Sequence, residues 1–296
     1  MKITGISLRF FIVVLLAAGI NLNSRSQGVK PQNVYYVTVL NQYVMKDGDR
    51  TSKFWAIGQK VYDSLHRLHT EIMFDFDTHQ PVSYKWNYFD SLVKVKTAFF
   101  EHDTLQKIET YTWNADSLLS QKKVFRVQKG DTSLYRTIHY IYNGMGKPEK
   151  IEAENATGKL VYRVKSTYDA QGTEIKRKVK TKSGFPADSI LKLSCTPSYD
   201  SLNRLASRSC EIQYKGRGTK QFTCYYEYDD QGHVTGLKKT DAKGQQISLQ
   251  ERIYQRSRNR LSQVKFYDAS DTMVRWIANR YEIYPTKDRR HRQIDY

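Results

Sequence analysis

Tyr-Asp recurs along this chain, and each time a residue that tolerates a positive φ angle follows three positions after the Asp. "YDSLHRL" occupies 62–68, "YDAQGTEI" 168–175, "YDSLNRL" 199–205, "YDDQGHV" 228–234 and "YDASDTMV" 267–274. The residues three past the Asp are His66, Gly172, Asn203, Gly232 and Asp271, and in "YNGMGK" Gly146 stands at the same distance from Asn143. Gly, Asn, Asp and His enter the left-handed region more readily than other residues. An Asp or Asn opening the turn, with a left-handed residue three later, describes a type I turn closed by a G1 bulge, a common β-hairpin connection. The Tyr is then the last residue of a strand, where an aromatic ring packs well on a pleated face.

These turns are evenly spaced, at steps of mostly about 12 to 16 residues, which is the signature of a repeated hairpin. Between turns the residues alternate: Leu160, Tyr162 and Val164 against Val161, Arg163 and Lys165, and Phe222, Cys224 and Tyr226 against Thr223, Tyr225 and Glu227. Asp90, Asp103 and Asp116 are followed at the third position by Val93, Gln106 and Leu119, so another loop type is expected there. Segment 248–262 is ambiguous and could hold a helical turn. A twisted open sheet rarely exceeds about ten strands without curling or splitting, and this chain has room for about fifteen. The expectation is a single all-β unit over 27–284, clearest over 60–284. It should be an elongated antiparallel meander of repeated hairpins, curled into an open barrel, a spiral or stacked sheets. Residues 285–296 read as a basic tail.

"YDAQGTEI", "YDSLNRL" and "YDDQGHV" resemble the YD repeats of the rearrangement-hotspot (Rhs) and teneurin-like proteins. The resemblance implies a β-hairpin array that can wind into a shell. The chain carries neither the Asp-Pro-x-Gly core signature nor the toxic C-terminal domain of full-length Rhs proteins, so toxin encapsulation is not implied.

Residues 1–26 read as a signal peptide: Lys2 and Arg9 precede an apolar run from Phe10 to Ile20, and Ser24 and Ser26 suit a cleavage site before Gln27. The run falls short of the roughly 20 residues that span a bilayer. An exported protein is therefore expected, with a periplasmic, cell-surface or extracellular destination and no transmembrane segment after signal removal. Of the formal charge of +18, residues 1–26 hold three cations and no acid, leaving 18 − 3 = +15 on 27–296. Such an excess favours an anionic partner, here an anionic polysaccharide or envelope component; nucleic acid is not the expected partner of an exported chain. Strands such as 121–128 mix charge on both faces, which argues against a lipid-facing barrel.

No phosphate-cradling loop, nucleophile motif or metal-ligand spacing is present, and no cofactor is expected. His66 and His69 have no third ligand to make a metal site, and His66 is better explained as a left-handed turn residue. The leading reading is a non-enzymatic protein that binds or scaffolds, most of all at an anionic glycan or envelope polymer. The alternatives are a periplasmic carrier of a small apolar ligand and a glycan-processing enzyme. The candidate binding residues are Lys176, Lys178, Lys180 and Lys182, which share one face of a strand in "EIKRKVKTKSG". Cys195 and Cys210 are symmetric about one turn, and Cys210 and Cys224 about the next, which predicts a row of three cysteines across adjacent strands. Three buried thiols is the preferred state, because a disulfide can join only two. Asp-Ser/Thr followed by an aliphatic residue or Met places candidate O-glycosylation acceptors at Ser64, Ser91, Thr104, Ser117, Ser189, Ser201 and Thr272, where turn chemistry alone also explains the pattern.

Overall fold

A computed structural model describes residues 34–46, 49–63, 65–75, 77–181, 189–255 and 260–283. They form eighteen strands in chain order: β1 (Val34–Lys46), β2 (Asp49–Asp63), β3 (Leu68–Phe74), β4 (Pro81–Asp90), β5 (Val93–Glu101) and β6 (Thr104–Trp113). There follow β7 (Leu119–Gln128), β8 (Asp131–Tyr142), β9 (Pro148–Asn155), β10 (Leu160–Tyr168), β11 (Glu174–Thr181) and β12 (Ile190–Tyr199). The last six are β13 (Leu205–Tyr214), β14 (Gly218–Tyr228), β15 (Val234–Asp241), β16 (Gln246–Gln255), β17 (Arg260–Tyr267) and β18 (Met273–Ile283). Each pairs antiparallel with the next, and β1 also pairs with β18, Thr38 lying opposite Tyr281 and Leu40 opposite Asn279. The meander therefore closes into a barrel. An open barrel, a spiral or stacked sheets was expected, and pairing of the first strand with the last removes the free edges those forms would expose. Eighteen strands is also the size at which barrels leave a lumen, and each strand packs substantially only against its ladder neighbours. Segment 248–262 belongs to β16 and β17, with 256–259 outside the described residues.

The turn rule is obeyed residue by residue. His66, Gly146, Gly172, Asn203, Gly232 and Asp271 all have positive φ, from 59° at His66 to 83° at Gly232. At Asp169 the reason for the acidic residue is visible: Oδ1 accepts hydrogen bonds from the amides of Gln171 (3.1 Å) and Thr173 (2.8 Å). The same pair of bonds recurs at Asp63, Asn114, Asn143, Asn155, Asp200, Asp229, Asp241 and Asp268. Asp90 and Asp103 depart as expected. Asp90 pairs directly with Val93 across a two-residue loop, and Asp103 lies within another, between Glu101 and Thr104. The third exception is resolved differently: that turn opens at Asn114, not Asp116, and its left-handed residue is Ser117.

At five of the turns the preceding aromatic fastens the turn to the one before it on the same rim. Trp113 Nε1 donates to the Lys94 carbonyl (2.8 Å), and the hydroxyls of Tyr142, Tyr168 and Tyr228 donate to those of Leu119 (2.8 Å), Pro148 (3.1 Å) and Leu205 (3.0 Å). Every acceptor begins or lies near the start of the strand leaving the previous same-rim turn. Tyr199 reaches the preceding turn itself, at Asp169 Oδ2 (2.6 Å) and Thr173 Oγ1 (2.7 Å). A basic residue after the turn works in the other direction. Arg67 pairs with Asp63 and lies over the Phe89 ring, and Arg204 pairs with Asp200 and lies over Tyr228. His233 bonds Asp229 and stacks on Tyr254. The amide of Arg204 foremost, joined by its guanidinium and the Leu202 amide, holds the Asp200 carboxyl below the usual carboxylate range against the opposing effect of burial.

Gly232 has open space where a Cβ would stand, so substitution there reads the backbone alone. Gly232→Val should cost about 1–2 kcal/mol in urea unfolding. Gly232→Asn should cost less, because Asn203 already fills the equivalent position at φ 60°. Equal losses for the two would show that the left-handed conformation is not what selects glycine here.

Candidate anion-binding face

In an antiparallel ladder, directly opposite residues share a face of the sheet. Lys150 on β9 lies opposite Lys165 on β10, Lys165 opposite Lys178 on β11, and Lys178 opposite Lys192 on β12. One row of lysines thus crosses four strands at the strand spacing of about 4.8 Å. Arg163 stands opposite Lys180, and Lys176 opposite Thr167 and Ser194, on the same face. Alternation along β11 is clean: Lys176, Lys178 and Lys180 are exposed, while Arg177 and Val179 between them are half-buried. Lys182 lies outside the described residues.

Ion pairing on this face is confined to one edge among the described residues; beyond the other edge Glu211, opposite Ser194, is exposed and accepts from Gln221 (3.1 Å). Glu152 takes Lys150 (2.9 Å) and Arg163 (2.5 Å), and Glu154 faces His139 (3.7 Å). Lys165, Lys176, Lys178, Lys180 and Lys192 are exposed and have no ion pair among the described residues. Like charges opposite one another destabilise a ladder, so water, ions or a polyanion must screen this field. The ladder along β11 was legible in the sequence. Lys165 and Lys192 were not, because membership depends on register across neighbouring strands.

The other face carries the cysteines. Cys195 is directly opposite Cys210, with a Cα–Cα distance of 4.1 Å, and the two form a disulfide. This corrects the expectation of three thiols: the symmetric pair sits at the close spacing that a bridge needs. Cys224 is opposite Arg208, and Phe222 takes the place opposite Cys210. The Tyr214–Gly218 turn centres one residue earlier than the symmetry argument assumed, which slides β14 by two residues and keeps Cys224 on the same face. Burial pushes the Cys224 thiol up, with Lys239 and Arg208 opposing. Leu193, Ile212 and the disulfide form a small buried cluster, with Ile190, Tyr214 and Phe222 against it.

Farther round this face lies a buried polar chain. Asn87 Nδ2 donates to the Leu68 carbonyl (2.9 Å), and Thr97 Oγ1 donates to Asn87 Oδ1 (2.8 Å). The Tyr111 hydroxyl lies between Thr97 Oγ1 (3.0 Å) and Glu109 Oε2 (2.9 Å), with one proton to give. Glu109 meets Lys107 (3.0 Å) and Lys122 (3.7 Å). Burial would raise the Glu109 carboxyl, but Lys107, Lys122 and Tyr111 together hold it below its usual range. Tyr140 nearby is pushed up to about 12, first by burial and then by Tyr162 and Tyr142. The chain contains a single carboxylate, ionised and held by two cations, so it is built as a structural network and not as an acid–base pair. Glu109 and Tyr111, two apart on β6, share a face, and their partners on β5 and β7 are set by the register. Among the described residues, no group of three His, Cys, Asp or Glu is placed to hold a metal.

The glycosylation candidates are scattered over both rims. Ser91 and Ser117 have left-handed backbones, and Thr104, Ser201 and Thr272 are exposed. Ser189 is half-buried and its carbonyl accepts from the Lys215 amide, while Ser64 lies outside the described residues.

No protein-family model and no curated protein matches the sequence. Among solved structures, the chain is similar to a porin-like protein from Bacteroides uniformis, at TM-score 0.42 and 11% identity over 85% of this chain and 98% of that one. A porin-like protein from Bacteroides vulgatus gives 0.33 and 9% over 82% and 97%. The TcdB2-TccC3-Cdc42 structure gives 0.30 and 10%, over 77% of this chain and 17% of that one. TM-scores this low lend none of those proteins' properties to this chain.

Proposed function

We propose that this chain is an exported, non-enzymatic β-barrel of the cell envelope that binds an anionic polymer, foremost an acidic polysaccharide, on its lysine face. The observation that carries the reading is the two-dimensional field of five exposed lysines without ion pairs on β10, β11 and β12. Solubility alone is served by charges of both signs spread over a surface; a single-sign lattice instead concentrates counter-ions and favours a polyanion that replaces them. The strand spacing and the two-residue repeat give cations about 5 and 7 Å apart, a density that a polymer with one charge per sugar can follow. The YD-repeat kinship belongs to the same reading, supported by nine turns that share one Asp/Asn hydrogen-bond pattern.

The test is binding of the exported chain to immobilised acidic polysaccharides, neutral polysaccharides and duplex DNA, at about 50 mM and about 200 mM salt. Retention by acidic polysaccharides that falls steeply with salt, with little retention by neutral ones, is the expected result. Equal retention on neutral polysaccharides would point instead to uncharged recognition. No retention at low salt would leave the lysines as a solubility device.

A further inference from the structure

On the face opposite the lysine field, β6, β7 and β8 line an open, shallow cavity of about 500 Å³ that holds the makings of a second, smaller anion site. Lys107, Lys122, Arg126 and Arg136 line it, together with Tyr135 and Val124. Arg126 is directly opposite Lys107, and Arg136 opposite Val124. Glu109 occupies the two lysines, as described above, and neither arginine has a carboxylate partner among the described residues. Instead both guanidinium groups lie over the Tyr135 ring, that of Arg126 at 3.6 Å from its centroid and that of Arg136 at 4.9 Å. Arg136 Nη2 donates to the Tyr135 hydroxyl (3.2 Å), whereas the Arg136 Nε is buried and makes no hydrogen bond.

A bulge produces this arrangement. Val124 is opposite Arg136 and Phe125 opposite Leu134, so Tyr135 is the extra residue on β8. Bulges re-aim side chains, and here the extra residue sets a ring between two arginines that would otherwise repel across the ladder. Ring contacts orient a guanidinium without satisfying its N–H donors, and the single bond from Arg136 to Tyr135 leaves most of the fork's donors to be met by something else. The cavity is within the size range of small-ligand sites.

We propose that this cavity binds a sugar-sized ligand through one oxyanion, a carboxylate or a phosphate, gripped by Arg126 and Arg136. The planar arginine fork suits bidentate contact with either group, and Tyr135 offers an edge for the sugar ring. The site stands apart from the lysine field in place and in selectivity. The field favours many charges on a long chain, whereas the cavity takes one charged head.

The test is calorimetric titration of the full chain with glucuronic acid, glucose 6-phosphate and glucose. Arg126 is exposed, so Arg126→Gln should leave the fold intact, which far-UV circular dichroism checks. The expected result is binding of at least one of the two anionic sugars, at least ten-fold tighter than glucose, and a ten-fold or greater loss in Arg126→Gln. Arg136→Lys keeps the charge and should also weaken binding, because the fork is lost. Which anionic sugar binds tighter identifies the oxyanion. Affinity for neither anionic sugar beyond that for glucose would overturn the site, as would affinity unchanged in Arg126→Gln. Replacing the exposed lysines of β10–β12 should leave these titrations unmoved, so failure here and failure of the polymer reading are separable.

Discussion

Reducing the protein, or replacing both Cys195 and Cys210 with Ala, should lower its stability by about 3 kcal/mol, as expected for a bridge closing about 15 residues. At about 2–4 °C per kcal/mol for a domain of this size, the midpoint of thermal unfolding falls by about 6–12 °C. The double Ala variant should lose somewhat more than reduction does, because the sulfurs pack in the cluster with Leu193 and Ile212. Cys224→Ala should change the midpoint by far less. The measurement is thermal unfolding with and without reductant, with thiols counted in the denatured, unreduced chain. One thiol is expected; three would show that the bridge does not form.

Replacing Lys165, Lys176, Lys178, Lys180 and Lys192 together with Gln should weaken binding to an acidic polysaccharide by about 30- to 200-fold at low salt, at about two- to three-fold per exposed charge. The slope of log affinity against log salt should flatten with each cation removed. Stability should hold or rise slightly, since Lys165 and Lys178, and Lys178 and Lys192, repel across the ladder. Replacing Lys53, Lys129, Lys220, Lys238 and Lys243, exposed on other strands and turns, removes the same five charges and provides the control for net charge. If both sets weaken binding equally, total charge and not the lattice is responsible. An unchanged affinity in the five-lysine variant removes this face from function.

Local chemistry was readable from the sequence wherever one residue decides the outcome. Asp at the turn opening and His, Asn or Gly three later specify a backbone conformation, and Asn203 and His66 adopt it as predicted. The face of Lys176, Lys178 and Lys180 followed from a period of two. What needs register was less legible. Cys195 and Cys210 were paired correctly because their shared turn is short and regular. Cys224 was misplaced by two residues because the loop at Gly216 and Gly218, both with positive φ, centres one residue early. Curling into a barrel was among the expected forms, but the seam that closes it could not be read, since it depends on contact between residues 36–42 and 277–283, more than two hundred positions apart, which no local pattern encodes. The Asn87–Thr97–Tyr111–Glu109 chain was hidden for the same reason.

The seam between β1 and β18 has a consequence for how the molecule is made. Until the last strand is synthesised, β1 has β2 on one side and nothing on the other, so a growing chain carries an open edge throughout its synthesis. Gln42, whose Oε1 accepts from Arg275, takes up its place only at the end. Zipping of this pair is therefore the natural last step of folding and the one most exposed to capture by another chain. It also means that the two ends of the strand circuit are neighbours. Joining them with a short linker and opening the chain at Gly216 would yield a permuted protein with the same circle of strands, in which the late-forming seam is moved to β13 and β14.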